Sequence, residues 1–328
     1  MDVLVPLEIR AGMPAPDAVL HQLGGASMGT TWSARVLARA GADELTALLQ
    51  RELNEVVAQM SHWEPNSVLS LYNGAPAGSW VPLPPEFFTV LAYALDLAHA
   101  TGGAYDPCAG ALVDAWGFGA HGRYNQAGFQ PPSHSIPSAR AAIELDTAGS
   151  RVLQPGGVRL DLSSVAKGFA VDQMARRLEA QGLSHYLVEL GGELRGAGVK
   201  PDGQPWWVAV EGVPDAATPN KGEARVALHG LALATSGDYR RFFQYGPRRV
   251  AHTLDPRTGA PADNQVASVS VLHAECMAAD ALSTALTVLG PVDGLAFAEQ
   301  RELAARFLVR AGAGITEVTT RAWRAMLE

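Results

Sequence analysis

Five strand-like segments follow one another between residues 185 and 273, and this run constrains the fold more than any other feature. Residues 185–190, 206–211, 226–234, 249–254 and 266–273 carry β-branched, aromatic and alternating character. Helical patterns lie elsewhere. From Asp43, an N-cap candidate, onward, Leu45, Leu48, Leu49, Leu53, Val56, Val57 and Met60 recur at helical spacing. A second helix is predicted over 85–100, opened by Pro85 and stopped by Gly102 and Gly103. A short strand over 158–162 runs straight into a helix ending near Gly182. Another helix covers 277–289, and a last one begins after Pro291. Helices and strands without strict alternation predict an α+β fold rather than a doubly wound sheet. Residues 117–141, rich in Gly, Pro, Ser and His, read as a long surface loop.

The 328 residues, 48% of them hydrophobic, suffice for a substantial core, and the 18% charged content argues against disorder. A net charge of -8 disfavours a nucleic-acid surface, although a local anion pocket stays open. Cys108 and Cys276 match neither a zinc spacing nor a disulfide framework and are expected as buried small hydrophobes. No apolar run approaches membrane-spanning length, so no transmembrane segment is expected. The N-terminal stretch lacks a basic leader, an apolar core and a small-residue cleavage site. The expectation is a soluble cytoplasmic protein as written, or a periplasmic one if a leader belongs in front of it.

No Walker loop, dinucleotide fingerprint, metalloprotease helix or nucleophile elbow is present, so phosphate chemistry would need another architecture. The segment Leu160-Asp-Leu-Ser-Ser-Val-Ala-Lys-Gly168 offers one. Ser163 or Ser164 can cap the following helix, whose free amides and positive dipole end suit a diphosphate. Lys167 falls in the first turn, where a cation is unfavourable unless an anion sits nearby. Spacing alone favours the simpler alternative of a capped helix with a solvated lysine. Asp280 and Thr284, four apart on an apolar helix, present two oxygens on one face. With water and phosphate oxygens they would serve Mg²⁺; a carboxylate on the helix dipole satisfies the same spacing. Asp255 and Gly259 belong to a good turn sequence, and His252 lies near a strand end, where a histidine is either structural or a general base. Met28 and Trp63 suit the face of a flat ring, and suit a core equally well.

Taken together, the chain resembles the ApbE family of FAD:protein FMN transferases. The resemblance rests on Met28-Gly-Thr-Thr-Trp32, on 60–70, and on Gly102-Gly-Ala-Tyr-Asp-Pro107 with Trp116-Gly-Phe-Gly119. It continues through 161–168, Leu187-Val-Glu-Leu-Gly-Gly-Glu193, Thr235-Ser-Gly-Asp238, 252–259 and 279–284, all in the family's order. It implies an ApbE-like, T-fold-related fold of mixed sheets with flanking helices and FAD in a central cleft. The domain would span 25–328, with 1–24 as an extended lead-in. By motif, Met28, Trp63, Ala104, Tyr105, Asp106, Asp161, Lys167 and Leu254 would surround FAD. Ser164, Asp280 and Thr284 would hold Mg²⁺. Departures are Trp63 where tyrosine is common, Tyr105 where phenylalanine is common, and Ser283 where some members carry a second acid. The implied reaction is Mg²⁺-dependent transfer of FMN from FAD to a Thr or Ser hydroxyl of an acceptor flavoprotein, releasing AMP. His252 is the candidate base, with Asp238 and Asp255 as weaker ones. The alternatives are a Mg²⁺-dependent FAD diphosphatase, in which water replaces the hydroxyl, and a FAD-binding carrier without turnover.

Overall fold

A computed structural model describes residues 2–327 apart from 10–11, 122, 134–135, 137–139, 214–223, 240, 247 and 313. Its chain divides into two compact units, each discontinuous in sequence. Unit 1 comprises Met1–Asn54, Lys167–Gly237 and Asn264–Glu328; unit 2 comprises Glu55–Ala166 and Asp238–Asp263.

Unit 1 is built on an eight-stranded antiparallel sheet whose strands lie side by side in the order in which they occur along the chain, although other strands intervene in sequence. In spatial order these are Val19–Ser27, Thr30–Ala38, Tyr186–Leu190, Glu193–Ala197, Leu231–Gly237, Val266–His273, Ala304–Ala311 and Gly314–Thr319. Val266–His273 reads VASVSVLH and is buried along nearly its whole length, as a strand covered on both faces must be. Helix Cys276–Gln300 packs against it and against Leu231–Gly237. A smaller sheet sets Asp2–Leu4 parallel to Ala224–Leu228, which pairs antiparallel with Trp206–Val210. The strand predicted over 226–234 is therefore two strands in two sheets. Gly230, at φ 68°, supplies the left-handed turn between them.

Helix Cys276–Gln300 has the length and apolar composition to cross a membrane, which corrects the expectation that no such run exists. Its physical reading is a core helix: 56% of its most apolar window is buried, and it breaks at Gly290 and Pro291. In helix Ala42–Met60, Asp43 sits in the first turn rather than before it, and Leu45, Leu49 and Leu53 are buried in unit 1.

In unit 2, helix Pro85–Ala100 starts at its proline and buries Phe87, Val90, Leu91, Ala94, Leu97 and Ala98. The strand expected over 158–162 does not form; only a bridge between Ala109 and Arg159 is present. The amide and carbonyl of Leu160 bond the Asn73 side chain at 2.7 and 3.0 Å, so no partner strand is needed. The strand expected over 249–254 is likewise divided. Arg248–Ala251 pairs with Phe242–Tyr245, and Leu254–Asp255 with Ala260–Pro261. Cys108 and Cys276 are buried and free, as the sequence predicts.

Candidate active site

In unit 1 the polar groups gather where helix Ala166–Ala180 meets the first turns of helix Cys276–Gln300. Gly168 makes the meeting possible. A Cβ there would lie 2.3 Å from the Cys276 carbonyl oxygen and 2.7 Å from the Asp280 Cβ. With no side chain in the way, the Gly168 amide donates to Asp280 Oδ2 at 3.0 Å. The start of the second helix is fixed from outside it, since its own N-cap residue, Glu275, makes no side-chain cap bond. Asp172 replaces that cap and accepts the amides of Cys276 and Met277, each at 2.9 Å. This fully buried carboxylate is balanced by Arg195, which donates to it at 2.6 Å.

One turn further on, Asp280 is buried, and burial raises its carboxyl pKa against the opposing pull of Lys167 and the Gly168 amide. Lys167 donates to Glu193 Oε1 at 2.6 Å. Burial pushes Glu193 up to about 7, because the loss of water outweighs the attraction of Lys167. Lys167 shows the opposite balance. Desolvation lowers its pKa, but Glu193 and Asp280 together outweigh that, so the ammonium is held charged. Thr284 is half-buried on the same helix as Asp280. Ser283 donates back to the Asp280 carbonyl at 2.8 Å and is committed to its own helix.

Asp280 Oδ1 is engaged by no hydrogen bond among the described residues. A carboxylate and a hydroxyl are hard oxygen donors, and no group of three or more His, Cys, Asp or Glu suited to a metal occurs among the described residues. That donor set fits Mg²⁺, which takes few protein ligands and completes its shell with water and phosphate, and does not fit a zinc centre. Met28, also in this unit, occupies the hairpin turn between Val19–Ser27 and Thr30–Ala38. Met28 and Gly29 have φ of 50° and 72°, the paired left-handed values of a type I′ turn. A methionine at positive φ is uncommon and marks the turn as worth testing.

Unit 2 holds the other expected residues. Ala104, Tyr105 and Asp106 are buried just after the glycine pair that ends helix Pro85–Ala100. Asp106 Oδ1 accepts the Cys108 amide at 2.8 Å, and Tyr105 Oη accepts from the Ser164 hydroxyl at 3.2 Å. The Asp161 amide bonds the Pro107 carbonyl at 2.9 Å, and its carboxylate accepts the amide of Ser163 at 2.7 Å and the Ser163 hydroxyl. His62 Nδ1 lies 3.8 Å from the same carboxylate. Asp161 lines a small polar depression with His62, Asn73, Asp114, His121 and Arg159. Trp63 is exposed, its ring tilted against His62 at 5.1 Å and covered by the Arg123 guanidinium at 5.2 Å.

The three base candidates differ in their surroundings. His252 Nδ1 is 3.1 Å from the Arg241 carbonyl, and its ring meets Phe118 edge-on at 6.2 Å. The Asp255 carboxylate is gripped by the Arg257 amide and guanidinium at 2.8–2.9 Å. Asp238 is 3.7 Å from Arg249. Leu254 is buried.

Sequence reasoning missed Asp172 and Glu193 as members of the unit 1 cluster, and His62 and Arg159 beside Asp161. Glu193 ends the Leu-Gly-Gly-Glu motif, which is a local signal; Asp172, inside helix Ala166–Ala180, carries none.

The model of the ApbE family matches residues 28–307. The chain is 35% identical over 319 residues to an FAD:protein FMN transferase of Haemophilus influenzae, covering 93% of this chain and 91% of that one. It is 34% identical over 331 residues to an FAD:protein FMN transferase of Vibrio cholerae, covering 99% and 97%. The crystal structure of the Pseudomonas stutzeri flavinyl transferase ApbE, apo form, superposes with a TM-score of 0.85 at 34% identity, covering 94% and 97%. Match, relatives and fold agree with the α+β architecture and with the resemblance read from the motifs: the chain belongs to the ApbE family.

Proposed function

We propose that this protein is an enzyme that moves the FMN half of FAD onto another protein. The names of its full-length relatives support flavin transfer as the activity. The observation that carries the reading is the Asp280 carboxylate, held by the Gly168 amide in the field of Lys167 at a helix junction. A buried acid whose neighbouring cation, Lys167, hydrogen-bonds Glu193 instead, and one of whose oxygens is unengaged, is costly unless a ligand uses it.

In this reading Asp280 and Thr284 would hold Mg²⁺, and Lys167 would meet the FAD diphosphate. When bound, the metal offsets diphosphate charge and polarises the phosphorus–oxygen bonds. The acceptor's Thr or Ser oxygen attacks the phosphorus joined to riboflavin, the bond to the AMP oxygen breaks, and AMP leaves. The hydroxyl proton passes to a base. His252 is the proposed base, because Arg257 already occupies the Asp255 carboxylate and Arg249 lies beside Asp238. Asp161, Tyr105 and Asp106 are further polar candidates for FAD binding, and the partly exposed Trp63 ring is a candidate stacking face. The chain's work is to position and to stabilise charge, as in other phosphoryl-type transfers.

The test is incubation of the protein with FAD and Mg²⁺, with and without a candidate acceptor, following AMP and acceptor mass. AMP release tied to an FMN-sized mass gain is the expected result. Release without an acceptor would make the protein a diphosphatase, and no release at all a carrier. His252→Ala should slow transfer at least tenfold; an undiminished rate removes His252 from the base role.

A further inference from the structure

Lys167 is aimed by a residue that none of the expected site positions includes. Glu193 opens strand Glu193–Ala197, directly after Gly191 and Gly192, both at positive φ. Its carboxylate is 5% exposed, while the Lys167 side chain it holds at 2.6 Å remains 31% exposed. An ammonium has three N–H donors, and among the described residues only this one acceptor engages Lys167. The other two donors are therefore uncommitted, on a side chain that is not sealed from solvent. On the buried side, Glu193 Oε2 has no partner among the described residues and is sealed from solvent. A half-satisfied buried carboxylate is poor material for stability, since an apolar pair of similar volume is often as good or better. Such a carboxylate makes physical sense at this position if the direction of the lysine matters.

Resting on the flavin-transfer reading above, we propose that Glu193 is a positioning residue: it fixes the Lys167 ammonium so that its free donors face the diphosphate of the nucleotide substrate. Lysine is a compact charge on a flexible four-carbon stem, and ordering it at the moment of binding costs entropy that a prior anchor removes. Such an anchor acts on ground state and transition state alike, so its loss falls on KM rather than kcat.

The test is a double-mutant cycle on the full chain, with FAD, Mg²⁺ and a candidate acceptor flavoprotein as probes and acceptor-dependent AMP release as the rate. Glu193→Gln keeps volume and a neutral acceptor but removes the charge. It should raise KM for FAD about tenfold, within the range of coupling energies in one ion-pair network, and leave kcat within about twofold. Glu193→Asp, which keeps the charge on a shorter stem, should show a smaller rise. In a Lys167→Met background, Glu193→Gln should change nothing further. An equal KM rise in both backgrounds would assign Glu193 a purely structural role and overturn the proposal, as would a wild-type KM for Glu193→Gln. Should Glu193→Gln fail to fold, Glu193→Asp in the two backgrounds is read by the same criterion. The wild-type protein separates the two levels. If, with the acceptor present, it gives no AMP release tied to an FMN-sized gain in acceptor mass, the flavin-transfer reading fails; if it does and the cycle is additive, only the role of Glu193 fails.

Discussion

The Gly168 amide donates to the Asp280 carboxylate at 3.0 Å, and that bond exists because residue 168 has no side chain. Two helices thereby approach closely enough for the backbone of one to orient an acid of the other.

Gly168→Ala should be harmful in spite of alanine's better helix propensity. Its Cβ would press on the Cys276 carbonyl at 2.3 Å, which is backbone that cannot rotate away. Overpacking of this kind costs about 1–3 kcal/mol. Urea unfolding should show a lower midpoint, accompanied by loss of AMP release from FAD. A variant with the wild-type midpoint and rate would remove the close-approach argument.

Asp172→Ala should be among the most damaging single changes. It removes the acceptor of the Cys276 and Met277 amides and leaves Arg195 without its 2.6 Å partner. Breaking a buried pair while orphaning a helix start costs about 3–5 kcal/mol. Chemical denaturation measures it; a change under about 1 kcal/mol would show that the cap is dispensable.

Glu193 gives stability a pH dependence with a definite sign. Burial, opposed by Lys167, raises its folded-state pKa from 4.5 to about 7. Its contribution is fully present below about pH 4.5 and is lost as pH rises to about 7, where the folded chain also releases the proton. The unfolding free energy of wild type minus that of Glu193→Gln should fall across this window, by on the order of 3 kcal/mol, and level off above it. A flat difference between pH 4.5 and 7 would contradict the raised pKa.

Removing the metal should stop the reaction without unfolding the protein. AMP release should vanish with a chelator and return with added Mg²⁺. Asp280→Asn should raise the Mg²⁺ concentration for half-maximal rate by more than about tenfold, since a neutral amide is a much poorer ligand for a hard dication. Unchanged Mg²⁺ dependence in Asp280→Asn would exclude this residue from the metal site.

Local elements were legible wherever one periodicity dominated a segment. Strand Val266–His273 and helix Pro85–Ala100 follow from their own residues, as does the break at Gly290 and Pro291. Residues 226–234 and 158–162 depart from their predicted strands for a shared reason. Alternation reports which faces are buried, but not which hydrogen-bond partner the backbone finds. Gly230 divides the first between two sheets, and Asn73 satisfies Leu160 in the second.

By itself the sequence determined the α+β class, the family, and the candidacy of Lys167, Asp280 and Thr284. These depend on composition, on spacing and on motif order along the chain. Only the tertiary structure decided that Glu193 holds Lys167, that Asp172 caps a helix beginning 104 residues later in the chain, and that Gly168 serves Asp280. The physical reason is that each of these depends on burial and on distances between segments remote in sequence. A carboxylate's role is set by the charge and amides packed around it, and no local pattern encodes those neighbours.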